Sequence, residues 1–68
     1  MERLRELREE QGLSQTRLAQ RADLNPSTVN QIELGVRLPT MGTLHKLART
    51  LGVSVSELVP DAPKALAR

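Results

Sequence analysis

A short polar stretch in the middle of the chain has the side chains best suited to recognise another molecule. If the residues around Val29 and Ile32 form a helix, these two apolar side chains face inward together. The outward neighbours are then four uncharged hydrogen-bonding residues: Ser27, Thr28, Asn30 and Gln31. Asn and Gln can bond adenine in a bidentate manner, and Ser or Thr can bond either purine. The stretch predicts a surface that contacts DNA bases; the alternative is a neutral surface helix.

The rest of the chain offers no second kind of chemistry. It has one histidine, His45, and no cysteine, which predicts neither a metal site nor a thiol nucleophile. The carboxylates of Glu6, Glu9 and Glu10 have arginine neighbours at helical spacing, which predicts surface ion pairs in place of an acid–base pair. We therefore expect no enzyme activity, no metal and no cofactor.

Five short helices are predicted to position the polar stretch. Four helix starts combine a capping residue with flanking apolar residues that can pack across the first turn: Ser14, Asn25, Thr40 and Ser54. Glu57 is placed to complete a capping box with Ser54. Gly12, Gly35 and Gly52 stand where helices commonly end.

The predicted helices cover about residues 2–11, 14–22, 25–34, 40–51 and 54–59, and no run alternates like a strand. The fold class is therefore all-α, a compact five-helix bundle of residues 1–59. Residues 60–68 have no burial pattern, and we expect a flexible tail or a cut end.

The turn between the second and third helices is the most informative connection. It has only three residues, 23–25, which is too short for an antiparallel pair, so the two helices are expected to cross steeply. Ala19 on the second helix would let the two backbones approach closely. This spacing predicts a helix-turn-helix formed by the second and third helices.

Two opposite charges lie on apolar helix faces. Arg8 follows Leu4 by one turn, and Glu33 follows Val29 by one turn. Either charge would be costly to bury alone. Together they predict a partly buried ion pair that joins the first helix to the third; the alternative is that both side chains reach solvent.

Length and charge limit the partners. The 68 residues have a formal net charge of +2, and residues 11–51 have five basic against two acidic side chains. A basic excess around the second and third helices favours a polyanionic partner, although its size is modest. No apolar run approaches a membrane span and no signal peptide is visible, so we expect a soluble, cytoplasmic domain without a membrane partner.

Several of these motifs together resemble the Cro/CI-type, or Xre, family of helix-turn-helix repressors. The resemblance covers about residues 3–59 and rests on the stretches 13–19, 27–29 and 51–53, together with Ile32, Glu33, Gly35 and Pro39. It implies a lambda-repressor-like DNA-binding domain that acts mostly as a dimer on pseudo-palindromic operators. The third helix would then enter the major groove.

The resemblance also implies roles for individual residues. Base contacts would come from Ser27 and Gln31, with Thr28 and Asn30 as additional candidates. The DNA backbone would be met by residues at the helix starts and in the loop after the third helix: Ser14, Gln15, Arg17, Asn25, Arg37, Thr40 and Thr43. Gln15 resembles the family's glutamine that bridges a phosphate and the third helix, and Arg8 and Glu33 match the family's structural ion pair.

Three positions depart from the family's pattern. Pro26 stands where several phage repressors use a glutamine to contact the first base, so operator preference cannot be transferred. Asp23 occupies a turn position where many relatives have glycine, which predicts backbone strain without loss of the fold. Arg17 replaces the acidic residue that often completes a capping box at Ser14, and it could instead contact a phosphate.

These observations predict a sequence-specific, double-stranded DNA-binding transcriptional regulator of a prokaryote or phage. A single small helix contacts few base pairs, so a homodimer is expected, with Val55, Leu58 and Val59 as its surface. A repressor or autoregulator is the favoured role, and any regulatory protein partner is unknown. The alternative is a protein-interaction or antitoxin-type helix-turn-helix module with weak DNA binding, to which Leu34 and Val36 would offer apolar surface.

Overall fold

A computed structural model describes residues 1–59 of the chain. Within this range the chain forms five α-helices and no β-strand, which confirms the all-α prediction. The helices are α1 (Glu2–Glu10), α2 (Gln15–Arg21), α3 (Pro26–Leu34), α4 (Met41–Leu51) and α5 (Val55–Leu58). The tail predicted for residues 60–68 lies outside the described residues.

Side-chain caps fix the starts of α2, α3 and α4. The hydroxyl oxygen of Ser14 accepts the backbone N–H of Arg17 at 3.0 Å, and that of Thr40 accepts the N–H of Thr43 at 3.1 Å. The side-chain oxygen of Asn25 accepts the N–H of Ser27 at 3.4 Å. Each bond satisfies a donor that has no acceptor inside its own helix, so the predicted starts are confirmed to within one residue.

Glycines with left-handed backbone end α3 and α4. Gly35 has a φ of 83° and Gly52 a φ of 75°, values that other L-residues adopt only with strain. The N–H of Val36 then reaches the carbonyl of Gln31, and the N–H of Val53 reaches that of Ala48. Both ends therefore close with the six-to-one bond of a Schellman motif.

The start of α5 differs from the prediction. The hydroxyl of Ser54 forms no cap bond and instead lies 2.9 Å from the hydroxyl of Ser56. The prediction of a capping box with Glu57 was therefore wrong, because the Ser54 hydroxyl is engaged with the side chain of Ser56. With four residues, α5 is a single turn held by its contacts with α1 and α4.

One aliphatic core unites the five helices. It contains Leu4, Leu7, Leu13, Leu18, Ala19, Ala22, Val29, Ile32, Leu44, Leu47, Ala48, Leu51 and Leu58. Leu58 is 1% exposed, so its assignment to a dimer surface was wrong. The single turn of α5 folds this side chain under the bundle, while Val55 and Val59 pack half-buried at the edge of the core.

The two helices of the helix-turn-helix share the most extensive contact between elements within residues 1–59. Helix α2 packs chiefly against α3, and the methyl group of Ala19 is fully buried. In the turn, the N–H of Leu24 donates to the carbonyl of Ala19 at 2.8 Å, and Asp23 adopts a φ of 58°. The predicted close approach at Ala19 and the unusual backbone at Asp23 are both present.

Within residues 1–59 no helix has the length and apolar character needed to cross a bilayer.

Candidate nucleic-acid interface

The outer face of α3 is the centre of the candidate interface. Val29 and Ile32 are fully buried, which fixes the rotation of the helix about its own axis. The four predicted base-contacting residues consequently lie on the opposite side, with Ser27 and Asn30 exposed and Thr28 and Gln31 half-buried. None of the four is charged, and their groups can therefore be desolvated at lower cost than charged ones.

An ion pair behind this face joins α1 to α3. The Arg8 guanidinium donates from Nε to Glu33 Oε2 at 2.6 Å and from Nη2 to Glu33 Oε1 at 3.1 Å. Its third nitrogen, Nη1, donates to the carbonyl of Leu13 at 2.8 Å. The side chains of Arg8 and Glu33 are only 11% and 4% exposed, so the predicted tie exists as a buried, bidentate pair.

The surroundings of Glu33 favour its ionised form. Burial alone would raise the pKa of this carboxyl, but the hydrogen bonds from Arg8 and Gln15 outweigh burial and lower the pKa below the ordinary value of 4.5. The same pair raises the pKa of Arg8, chiefly through its hydrogen bond to Glu33. Both groups are therefore charged wherever the chain is folded near neutral pH.

The first residue of α2 extends this network to the outer face of α3. Nε2 of Gln15 donates to Glu33 Oε1 at 2.9 Å and to Asn30 Oδ1 at 3.2 Å. The predicted link between Gln15 and the third helix is thus present. Both bonds come from the one amide nitrogen of Gln15. The phosphate contact predicted for this side chain stays a prediction.

The loop after α3 brings Arg37 onto the same face. Nη1 of Arg37 donates to Gln31 Oε1 at 3.2 Å and to Thr28 Oγ1 at 3.4 Å. Thr28 and Gln31 are three residues apart on a helix and form one stripe. The guanidinium consequently lies over two of the predicted base-contacting residues, whereas the sequence placed Arg37 with the groups that meet the DNA backbone.

The other predicted backbone-contacting residues lie at the starts of α2, α3 and α4. Arg17 is exposed on α2 and forms no ion pair with any residue in the range 1–59. Ser14, Asn25 and Thr40 are exposed and act as helix caps, and Thr43 is half-buried and accepts the hydroxyl hydrogen of Thr40 at 3.1 Å. The structure thus distributes these residues over the starts of three helices.

Two surfaces were missed or only partly noticed in the sequence. Four large apolar side chains are exposed around the loop after α3: Leu34, Val36, Leu38 and Met41. Of these, the sequence analysis predicts only Leu34 and Val36 as apolar surface. An open cleft of about 470 Å³ between α2 and α4 is lined by Arg21, Lys46 and Arg49 with Asp23. Arg21 and Asp23 lie on α2 and in the turn after it, whereas Lys46 and Arg49 lie on α4, and their proximity has no signal in the sequence.

Metal-binding side chains are not grouped in this structure. Across residues 1–59 there is no set of three or more His, Cys, Asp or Glu side chains placed to hold a metal ion.

Comparison with known proteins agrees with the geometry of α2 and α3. A sequence model of the helix-turn-helix family matches residues 4–58, and the chain belongs to this family, in its Cro/CI or Xre branch. The chain is 39% identical over 69 aligned positions to the HTH-type transcriptional regulator PuuR of Escherichia coli K12, covering 94% of this chain and 37% of that regulator.

Other relatives include regulators of bacteria and phages. The HTH-type transcriptional regulator RamB of Mycobacterium tuberculosis H37Rv is 43% identical over 54 residues, which are 79% of this chain and 11% of RamB. The immunity repressor protein of Bacillus phage phi105 is 36% identical over 60 residues, covering 88% of this chain and 42% of the repressor. The chain therefore spans less than half the length of these relatives. No solved structure matches it significantly.

Proposed function

We propose that this chain is the sequence-specific, double-stranded DNA-binding part of a transcriptional regulator, with α3 placed in the major groove. The observation that carries the proposal is the outer face of α3. Its four uncharged polar residues are accessible, while its inner face is fixed by the core and by the bonds from Arg8 and Gln15 to Glu33. Such a face can present hydrogen-bonding groups to base edges in a fixed register.

Contacts to phosphates would position the helix on the duplex. Arg17 supplies an exposed charge on α2, and the helix caps Ser14, Asn25 and Thr40 supply hydroxyl and amide groups at the starts of α2, α3 and α4. The start of α4, with Thr43, would approach the sugar-phosphate backbone. Phosphate contacts of this kind add affinity without adding sequence preference, and that affinity decreases with salt.

A repressor role and a homodimer belong to the same proposal. The phi105 relative is named an immunity repressor. A dimer would place two copies of α3 about 34 Å apart on a pseudo-palindromic operator, which multiplies the few base pairs that one helix contacts. Val55 and Val59 remain the predicted dimer residues that have accessible surface.

Selection from a random duplex pool tests the proposal. We expect the selection to enrich a palindromic site. A fluorescence anisotropy titration, with the dye on the DNA, should then show tighter binding to this site than to a scrambled duplex. Arg17→Ala should weaken binding to both duplexes equally and should reduce the salt slope by about one. The matched control is Arg3→Ala, which removes an exposed arginine paired with Glu6 on α1. Equal binding to all duplexes would refute the proposal.

Sedimentation in the presence and absence of the selected duplex tests the dimer. We expect two chains to bind one palindromic duplex. Val59→Ser should reduce the fraction of duplexes that carry two chains. A single chain bound to the palindrome at saturating concentration would contradict the dimer without contradicting DNA binding.

The exposed apolar side chains favour a second candidate function, a protein-interaction or antitoxin-type module. Leu38 is 89% exposed, and Leu34, Val36 and Met41 are also accessible. Apolar surface of this kind commonly marks a protein contact. The selection experiment separates the two functions, because an interaction module without DNA specificity would enrich no site.

A further inference from the structure

The hydrogen bonds on the outer face of α3 have a direction that is set by two charged residues. A carboxylate only accepts hydrogen bonds and a guanidinium only donates them. The side-chain amides of Asn and Gln can do either, depending on which end faces the partner. In this structure each of the two outer amides is bonded, directly or through Gln15, to a charged group that fixes its orientation.

The first chain of bonds starts at Glu33. Because Glu33 Oε1 must accept, the atom of Gln15 that lies 2.9 Å from it must be the amide nitrogen. The same nitrogen lies 3.2 Å from Asn30, which must therefore turn its oxygen toward Gln15. The NH₂ group of Asn30 is then the end without a partner within residues 1–59, on an exposed side chain.

The second chain of bonds starts at Arg37. Its Nη1 donates to Gln31 Oε1, so the NH₂ group of Gln31 is also the end that is not engaged. The second bond from Nη1 goes to the hydroxyl oxygen of Thr28, which leaves the hydroxyl hydrogen of Thr28 available. Asn30, Gln31 and Thr28 thus all present donors on the outer face.

Arg37 itself adds a two-pronged donor. With Nη1 used, its Nε and Nη2 have no acceptor within residues 1–59. In this same protein, the equivalent edge of Arg8, formed by Nε and Nη2, donates two hydrogen bonds to the Glu33 carboxylate. Such an edge also matches the O6 and N7 acceptors of guanine, the commonest specific contact between a protein and a base.

We infer that Arg37 is a specificity-determining residue that binds guanine in the major groove, with Gln31 and Thr28 holding its guanidinium in place. This inference rests on the proposed function, since it assumes that α3 enters the groove. The inference changes the base that we expect this face to recognise. Adenine would require Gln31 to donate and accept hydrogen bonds at once, whereas guanine presents two acceptors to Arg37. The inference also moves Arg37 from the phosphate-contacting group to the base-contacting group.

The test compares the natural chain with Arg37→Ala and Arg37→Lys in the selection and in anisotropy titrations. We expect the natural chain to enrich a site with an invariant guanine in each half-site. Arg37→Ala should lose about tenfold in affinity for that site and less for a scrambled duplex, so that the ratio between them falls. Arg37→Lys should recover the affinity for scrambled DNA but not the ratio, because an ammonium group lacks the planar fork.

Replacing the invariant guanine by 7-deazaguanine, which lacks the N7 acceptor but still pairs with cytosine, identifies the contact. The natural chain should lose affinity on this duplex, whereas Arg37→Ala should bind the modified and unmodified sites equally. Arg17→Ala serves as the matched control and should lose the same factor as the natural chain on the modified duplex.

The outcomes separate the inference from the function on which it rests. If the natural chain enriches no site, the proposed function fails. If a site is enriched and Arg37→Ala weakens the selected and scrambled duplexes by the same factor, DNA recognition stands and the guanine contact is overturned. Insensitivity of the natural chain to 7-deazaguanine at every enriched guanine would overturn it as well.

Discussion

Gln15 and Asn30 are joined side chain to side chain across the helix-turn-helix, although they lie 15 residues apart, with Gln15 Nε2 donating to Asn30 Oδ1 at 3.2 Å. The same nitrogen also donates to Glu33, whose other partner is Arg8. A single path of hydrogen bonds therefore leads from α1, through the buried carboxylate, to an exposed amide on α3. The orientation of the outer face therefore depends on Arg8 and Glu33, whose side chains are only 11% and 4% exposed.

Removing Gln15 should affect discrimination more than folding. In Gln15→Leu the amide of Asn30 loses its only fixed partner among the described residues, and Glu33 keeps both bonds from Arg8. We expect a loss of about 1–3 kcal/mol in the free energy of unfolding, because two hydrogen bonds are removed and one of them goes to a charged group. The ratio of affinities for selected and scrambled duplexes should decrease. Thr16→Ala, an exposed change one residue away, is the control; an unchanged ratio in Gln15→Leu would show that Asn30 needs no support.

Breaking the Arg8–Glu33 pair should be far more costly than breaking a surface pair. Arg8→Met leaves a carboxylate that is 4% exposed without its guanidinium, and it also leaves the carbonyl of Leu13 without its donor. We expect a loss of about 3–5 kcal/mol, measured by urea unfolding followed with far-UV circular dichroism. Arg5→Met breaks the exposed pair with Glu9 and should cost less than about 1 kcal/mol.

A double variant separates loss of the pair from loss of packing. Arg8→Met combined with Glu33→Leu removes both charges, so it should be more stable than Arg8→Met alone. If the double variant were as unstable as the sum of the single changes, the cost would lie in packing and the ion pair would contribute little.

Stability should fall in acid through Glu33. The pKa of Glu33 is lowered in the folded chain, so folding favours its ionised form. This contribution is complete above the ordinary value of 4.5 and is lost as the pH falls toward the lowered folded pKa. Urea unfolding at a series of pH values should therefore show the natural chain and Glu33→Gln becoming more similar as the pH falls. Glu2→Gln gives the baseline for removing an exposed carboxylate, and a constant difference for Glu33→Gln would contradict the linkage.

Replacing two glycines by alanine should change the stability of the chain in opposite directions. Gly35 has a φ of 83°, and no atom lies within 4 Å of the point where a Cβ would stand, so Gly35→Ala should destabilise by about 1–2 kcal/mol through backbone strain alone. Gly42 lies inside α4, where an added Cβ would meet only Thr40 Oγ1 at 3.8 Å. Gly42→Ala should therefore stabilise by about 0.5–1 kcal/mol. Thermal unfolding measures the stability change in each variant. Changes of the same sign in the two variants would contradict the assignment of strain to Gly35.

Removing the hydroxyl groups at two helix starts should also have unequal effects on stability. Thr40→Ala removes a cap bond to the N–H of Thr43 and should cost about 1 kcal/mol. Ser54→Ala removes a hydroxyl that caps no helix and should change stability by less than about 0.5 kcal/mol. An equal cost at both sites would indicate that Ser54 does cap α5 in solution.

The sequence predicted most of the helices because local signals determine where they start and end. Ser14, Asn25 and Thr40 cap neighbouring backbone groups, and Gly35 and Gly52 end helices through their own φ. Burial of Val29 and Ile32 follows from their spacing on one helix, and so does the outward direction of the polar face.

The sequence failed where a side chain depends on a distant or irregular segment. The loop that places Arg37 over Gln31 has no periodicity from which its path could be predicted. A four-residue helix has too few positions to show which of its apolar side chains is buried, and the prediction of Leu58 as a dimer-surface residue was wrong for this reason. The engagement of Gln15 with both Asn30 and Glu33 depends on the packing of α2 against α3, which no local pattern encodes.

The aliphatic core has a practical consequence for spectroscopy. Its thirteen side chains are all Leu, Ile, Val or Ala, and the whole chain has no Trp, Tyr or Phe. The protein is therefore almost transparent in the near ultraviolet, and the absorbance of a bound duplex can be followed without a background. A single tryptophan introduced at Leu38, which is 89% exposed, would be the sole aromatic fluorophore and would report on events at the loop beside α3.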